Sequence, residues 1–304
     1  MSRRVTLGAV LLVVAAGGAV LYATHNRKDT SRASTVSLPS EPPPNSASGD
    51  PVAADTADNS PAASASPRTE SPAVDPMKPT AIDPNSPLRA GESWDYSANV
   101  SKLSSVANLH LKVVEKRNFL GKSAWHLQAV AHTENPLRMV FALDDQFDSY
   151  SDAATLVSMQ YEMHLNEKGE TLNSVQRMSP RDREPAPDGA SAARVLPGTR
   201  DPLGMMQYLR TVDWTKVPQV RSPVYDGHKL YDVYAQLQSR GEQVTVPAGT
   251  FNALKIDLRV LDHGQEMKDT HFTLYLSNDE ARLPVLLEAV MPFATARVEM
   301  VKTH

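Results

Sequence analysis

Apolar and polar residues alternate strictly over much of the chain beyond residue 105. Met159, Tyr161, Met163 and Leu165 alternate with Gln160, Glu162 and His164. Leu254, Ile256, Leu258 and Val260 alternate with Lys255, Asp257 and Arg259. Phe272, Leu274 and Leu276 alternate with His271, Thr273 and Tyr275, and Ala294, Ala296, Val298 and Met300 with Thr295, Arg297 and Glu299. Stretches 109–113, 125–131 and 231–237 follow the same rule. A period of two with one apolar face describes strands that meet a core on one side and water on the other, hence an antiparallel sheet. Asn166-Glu-Lys-Gly169, Asn118–Gly121, Val246-Pro-Ala-Gly249 and Asp262-His-Gly264 punctuate these strands as turns. The spacing predicts about ten to twelve strands in a single antiparallel β-sandwich or partly open β-barrel.

One segment breaks the alternation. Asp201 is placed to cap a helix and Pro202 to occupy its first turn. Met205, Tyr208, Leu209 and Val212 then share one face at i, i+3, i+4 and i+7. This short helix is expected to pack on the sheet or to plug a barrel end. The polar stretch Ser179–Arg200 before it reads as a long loop.

The first 88 residues have a different character. Val5 to Thr24 carries no charge and contains nine Leu or Val residues. Twenty helical residues rise about 30 Å, the thickness of a bilayer's hydrocarbon core. Arg3 and Arg4 precede the run, which favours a cytoplasmic N-terminus and an exported remainder. The rival reading is a cleaved signal peptide, for which Gly17-Gly18-Ala19 supplies small residues. The uninterrupted Val20-Leu21-Tyr22 continuation favours an anchor. Residues 25–88 hold 12 of the 23 prolines and no aromatic residue. With so little apolar surface to bury, folding could not offset chain entropy, so this stretch reads as a disordered tether. The expected layout is a transmembrane segment over 1–24, a linker over 25–88 and one β-rich domain over 89–304. The inner membrane is then a partner through residues 5–24, with the domain on the periplasmic side, or free in the periplasm if the segment is cleaved.

Composition narrows the chemistry. The formal net charge is −4 and no basic face is visible, which argues against a nucleic-acid partner. The absence of cysteine removes disulfides, thiolate metal sites and a Cys nucleophile. No HExxH or similar spacing occurs among the nine histidines, and His126 and His132, on one strand face, would stand about 20 Å apart. His263, His271 and Asp262 flank one turn, and solvated positions are the simpler reading of them. No metal or cofactor is expected. There is no G-x-S-x-G around Ser149 and no Gly-rich phosphate loop. The adjacent carboxylates Asp144-Asp145 read as a solvated turn. The chain is therefore expected to be no enzyme.

The order of short motifs resembles the bacterial domain-of-unknown-function family 3108. The resemblance rests on Ala90-Gly91-Glu92 with Tyr96, Asp148-Ser149-Tyr150, and Asp201-Pro202-Leu203 with Tyr208-Leu209-Arg210. It continues with Asp226-Gly227 and Leu230-Tyr231, Pro247–Phe251, and Leu276-Ser277 followed by Asp279 and Arg282–Val285. Ser93-Trp94 stands between Glu92 and Asp95, a departure from the simplest family pattern. The resemblance implies an exported β-rich protein of unassigned activity and supplies no catalytic residue. Arg210, Tyr150, Asp226 and His228 sit at motif positions beside element ends and are the candidate binding residues. Their structural alternatives are a charge at a helix C-terminus for Arg210 and a turn for Asp226-Gly227. Three readings of function follow: a module binding or carrying lipid, glycan or a protein segment, a structural or assembly factor presenting a sheet edge or the 179–200 loop, and a carboxylate-based hydrolase of envelope material.

Overall fold

The computed structural model describes residues 81–83, 86–139, 141–180, 191–267, 270–292 and 294–304. The expected membrane segment and most of the expected tether lie outside these residues. Among the described residues no helix is long and apolar enough to cross a membrane.

The strands are β1 (Ser93–Val100), β2 (Leu103–Phe119), β3 (Lys122–Thr133), β4 (Asp144–Asp152), β5 (Ser158–Glu167), β6 (Glu170–Pro180), β7 (Ser191–Val195) and β8 (Gln219–Tyr225). They continue with β9 (Leu230–Val246), β10 (Gly249–Asp262), β11 (Gln265–Glu266), β12 (His271–Ser277), β13 (Pro284–Met291) and β14 (Ala294–Thr303). The one α-helix among the described residues, α1, spans Pro202–Thr211. All fourteen strands belong to one sheet, in the order β7-β6-β5-β4-β3-β2-β1-β14-β13-β12-β10-β9-β8, with β11 on β10. Neighbours are antiparallel except β6 and β7, which run parallel. The architecture is thus all-β, a nearly closed barrel-like sheet with a single short helix.

The strand count exceeds the expected ten to twelve for two physical reasons. β11 is only two residues long, too short for any periodicity. β7 lies inside the 179–200 stretch read as a loop, because five residues of mixed polarity give no alternation. Elsewhere the pattern holds along most of each strand and departs at Gln160 and Tyr275, which were expected outward and are buried. Tyr161, Met163 and Leu165 face the core at 1, 3 and 5% exposure, and the intervening residues face outward. The β5–β6 hairpin turns on Lys168 (φ 53°) and Gly169 (φ 83°). Two successive left-handed residues match the twist of the flanking strands.

The two ends of the sheet path face each other across a seam between β7 and β8. Among the described residues a single isolated bridge crosses it, Arg200 lying parallel to Val224. Arg200 N–H donates to Pro223 O at 3.0 Å and Tyr225 N–H to Arg200 O at 2.8 Å. Lower on the seam, Gln176 Nε2 of β6 donates to Gly227 O at 2.7 Å, and the Tyr225 hydroxyl donates to Gln176 Oε1 at 2.6 Å.

Helix α1 plugs one end of this barrel. Asp201 Oδ1 accepts from Gly204 N–H at 2.8 Å, the expected N-cap. Met205, Leu209 and Val212 are buried, and the Arg200 guanidinium stacks 3.7 Å above the Tyr208 ring. A Cβ at Gly204 would come within 3.0 Å of Ser151 Oγ and 3.1 Å of Ser158 Oγ. Glycine therefore sets how closely the helix approaches β4 and β5. Ahead of β1 the chain already lies on the barrel: Leu88 is buried and Ile82 N–H donates to Ala154 O.

Candidate functional site

Arg210 projects from the last turn of α1 and is fully buried. Its Nε donates to Arg282 O at 3.1 Å. One terminal nitrogen donates to Glu92 Oε1 (2.9 Å) and Gln207 Oε1 (2.7 Å), the other to Glu92 Oε2 (3.3 Å) and Ala281 O (3.0 Å). All five guanidinium N–H groups are engaged, and the group lies 4.6 Å above the Trp94 ring. Arg210 is a clamp joining helix, β1 entry and the 278–283 turn. The helix C-terminus is served by Arg282, which donates to the carbonyls of Arg210 and Val212.

Asp201 forms the clamp at the other end of the helix. Its Oδ2 accepts from Ser149 Oγ and Ser158 Oγ, both at 2.5 Å. Burial raises its pKa against the opposing pull of those hydroxyls and of the Gly204 amide. Ser149 therefore points inward as a structural partner.

Tyr150 and Asp148 point to the outer face of β4. The Tyr150 ring is stacked between Phe119 (4.2 Å) and His126 (4.7 Å). Asp148 accepts from His126 Nε2 (2.7 Å), Gln128 Nε2 (2.9 Å) and Gln146 Nε2 (2.6 Å). Both faces of the Tyr150 ring are occupied, so it offers no stacking platform to a sugar.

Asp226 and His228 lie in the β8–β9 turn. Asp226 Oδ1 accepts from the His228 and Lys229 amides at 2.8 and 2.7 Å, while His228 itself is exposed. Asp226 Oδ2 has no hydrogen-bond partner among the described residues. Burial pushes the Asp226 carboxyl up to about 6. The turn packs across the seam on β5 and β6, where a Cβ at Gly227 would meet Met163 and Gly227 O accepts from Gln176. The four candidates do not converge on one another. Arg210 is a clamp at the C-terminal end of α1, Asp226 and His228 form the β8–β9 turn at the seam, and Tyr150 lies on the outer wall.

Two buried groups escaped the sequence reading. Asp145 was expected in a solvated turn, yet it is 1% exposed. It sits on the inward face of β4 and accepts from the Asn166 amide at 2.9 Å, and burial pushes it up to about 7. Its neighbour Asp144 does meet water and pairs with Arg138. Arg200, 5% exposed, ties the seam together by donating to Ser222 Oγ (2.9 Å) and Thr155 O (2.8 Å). Burial lowers its pKa to about 10. No periodic signal marks either residue, since each depends on strands distant in sequence.

Two spaces lie among the described residues near these elements. Inside the barrel, beside Met206 and lined by Tyr96, Leu111, Leu274 and Leu286, the space is about 10 Å³. On the outer wall at the seam, Leu196, Pro223, Leu230 and Leu261 line a cleft of about 170 Å³. Arg221, Asp232 and His263 flank it.

A plugged, nearly closed β-barrel with its polar residues spent on holding the plug defines the class. The chain belongs to the family described as Protein of unknown function (DUF3108), whose model matches residues 95–301. Among solved structures, the chain is similar to the "beta-barrel-like protein of domain of unknown function DUF1849" from Brucella abortus. The identity is 10%, the TM-score 0.45, and the match covers 70% of this chain and 97% of that one. It is also similar to a "putative lipoprotein" from Parabacteroides distasonis ATCC 8503 (12% identity, TM-score 0.35, 74% and 99% covered). A third is a "putative exported protein with YmcC-like fold" from Bacteroides fragilis NCTC 9343 (11% identity, TM-score 0.33, 74% and 100% covered). No curated protein matches the chain.

Proposed function

We propose that this protein is a non-enzymatic binding module of the cell envelope, tethered outside the cytoplasm by residues 5–24, which recognises its partner on the outer surface of the barrel. The tether and location rest on the uncharged apolar run and the Pro-rich stretch behind it. The mode of binding rests on one observation, the seating of α1 in one end of the barrel. A carrier of lipid or glycan needs a chamber of several hundred cubic ångströms, roughly 300 or more. The space described beside Met206 is about 10 Å³, about what a single water needs. Emptying the lumen would require extracting α1, which buried Arg210 holds by four hydrogen bonds to Glu92, Ala281 and Arg282 and buried Asp201 by two from Ser149 and Ser158.

The same engagement favours binding over catalysis. Arg210 has no free donor, and Asp201 is filled by Ser149, Ser158 and the Gly204 amide. Native mass spectrometry of the full chain extracted from its own membrane tests the reading. The expected spectrum shows the bare polypeptide mass after detergent release. A stoichiometric lipid or glycan that survives release would overturn it.

A further inference from the structure

We infer that the seam edge of β8 takes up an extended polypeptide segment of a partner protein, which pairs with Gln219 and Arg221 and seats one apolar side chain in the adjoining cleft. The inference rests on the outer-surface binding reading above and names its site and partner chemistry.

The direction of the backbone groups follows from the bonds that cross the seam. Pro223 O and Tyr225 N–H point across it, since both pair with Arg200. In a strand, the N–H and C=O of every second residue point to the same side. Gln219 and Arg221 therefore also aim their backbone groups at the seam. The even-numbered residues aim at β9, as Pro218 O confirms by accepting from Leu237 N–H. Gln219 and Arg221 are both exposed, and the isolated bridge across the seam reaches only Val224. Pro223, which lacks an N–H, ends the available edge on one side and limits indiscriminate pairing. Among the described residues, the seam-side groups of Gln219 and Arg221 have no backbone partner, a short row of two donors and two acceptors at strand spacing.

Such a row selects its occupant. A polypeptide backbone supplies alternating N–H and C=O groups at the matching repeat, and an acyl chain or a glycan does not. The cleft beside the edge selects the side chain. Its walls are Leu196, Pro223, Leu230 and Leu261, and an apolar cavity of about 150 Å³ holds one benzene ring. At about 170 Å³ the cleft fits a single Phe, Leu or Met. The flanking Arg221–Asp232 pair is already neutralised within the protein, so it calls for no charge on the incoming residue.

The test starts from a displayed library of random dodecapeptides selected on the full chain in detergent micelles. Enriched peptides are then synthesised and titrated by fluorescence anisotropy. The expected peptides share one large apolar residue among strand-forming neighbours. Leu230→Asp, a change on the outer wall, weakens them at least tenfold. N-methylation of the peptide amides on one edge abolishes binding without altering the protein at all, which removes misfolding as an explanation. Binding that changes less than twofold in both arms overturns the proposal, as does the absence of any enriched peptide or self-association of the chain through β8. A peptide that binds elsewhere on the outer wall defeats the edge proposal and leaves the outer-surface reading standing. A retained lipid or glycan in the barrel defeats that reading itself.

Discussion

Replacing Arg210 by alanine tests whether the family motifs at the plugged end are a structural clamp. The substitution removes five hydrogen bonds, two of them to Glu92, whose side chain is only 16% exposed. It leaves the Glu92 carboxylate with the Arg89 amide alone, Gln207 Oε1 and two carbonyls without their Arg210 donor, and it uncovers the Trp94 ring. Removing one member of a buried ion pair costs about 3–5 kcal/mol, because the remaining charge stays buried without compensation. For a domain of this size each kilocalorie shifts the melting temperature by about 2–4 °C, so the loss is about 6–20 °C. Urea unfolding followed by tryptophan fluorescence measures it, with Trp94 as a probe at the clamp. Arg210→Lys is expected to recover little, since an ammonium has three donors on one atom and cannot span Glu92, Gln207 and the 281–282 carbonyls together. The double change Arg210→Met with Glu92→Gln removes both charges and is expected to be more stable than the sum of the single changes by about 1–3 kcal/mol. A loss below about 1 kcal/mol for Arg210→Ala, or full rescue by lysine, would refute the clamp.

Three further outcomes follow from the geometry. Gly227 has φ +102°, and a Cβ there would come within 2.6 Å of Met163 Sδ, so Gly227→Ala is expected to lose about 1–3 kcal/mol in the same unfolding assay. Asp201→Ala removes the cap of α1 and the carboxylate partner of Ser149 and Ser158, which keep only Ser151 Oγ and the residue-201 amide, an expected loss of about 2–4 kcal/mol with lowered helix protection in hydrogen exchange. Asp226 and Asp145 have folded pKa values of about 6 and about 7, both raised by burial above the unfolded value. The fold then holds their protons more tightly than the unfolded chain. Their contribution to stability is fully present below about pH 4 and is lost as the pH rises through about 6 and about 7. Urea midpoints at pH 5 and pH 8 should differ less in the Asp145→Asn, Asp226→Asn double variant than in the parent protein. An unchanged slope would remove these two groups as its cause.

The sequence made the walls of the barrel legible and left its closure dark. Alternation at 159–165, 254–260, 272–276 and 294–300 marks strands because one face of each lies against a continuous core, and burial at Tyr161, Ile256, Leu274 and Val298 follows it. The cap at Asp201 and the apolar face of α1 were equally readable, since both are set by neighbours within a few residues. The seam was not. β7 pairs in parallel with β6 and has no repeating face, and Arg200 closes the gap through partners 22 and 45 residues away. Asp145 shows the same limit from the other side. A pair of adjacent carboxylates looks solvated in sequence, yet strand alternation sends one outward to Arg138 and the other into the barrel. For the four candidate residues, motif position says nothing of role. Whether an arginine binds a ligand or holds a helix depends on what surrounds its five N–H groups.

That distinction bears on where recognition takes place. A barrel of this strand number could enclose a ligand, as larger antiparallel barrels do. Here α1 occupies one end of the barrel, and releasing it would leave Arg210 only Gln207 and Asp201 only the Gly204 amide of their own helix. Glu92, whose side chain is 16% exposed, would stay on the barrel without its Arg210 partner, a loss of several kcal/mol for a carboxylate left partly buried without its counter-charge. Under the proposal made above, recognition falls instead on the backbone of Gln219 and Arg221 beside the apolar cleft, whose seam-side groups have no backbone partner among the described residues. Association there needs no rearrangement of the core, and an extended segment is the shape that fits such an edge.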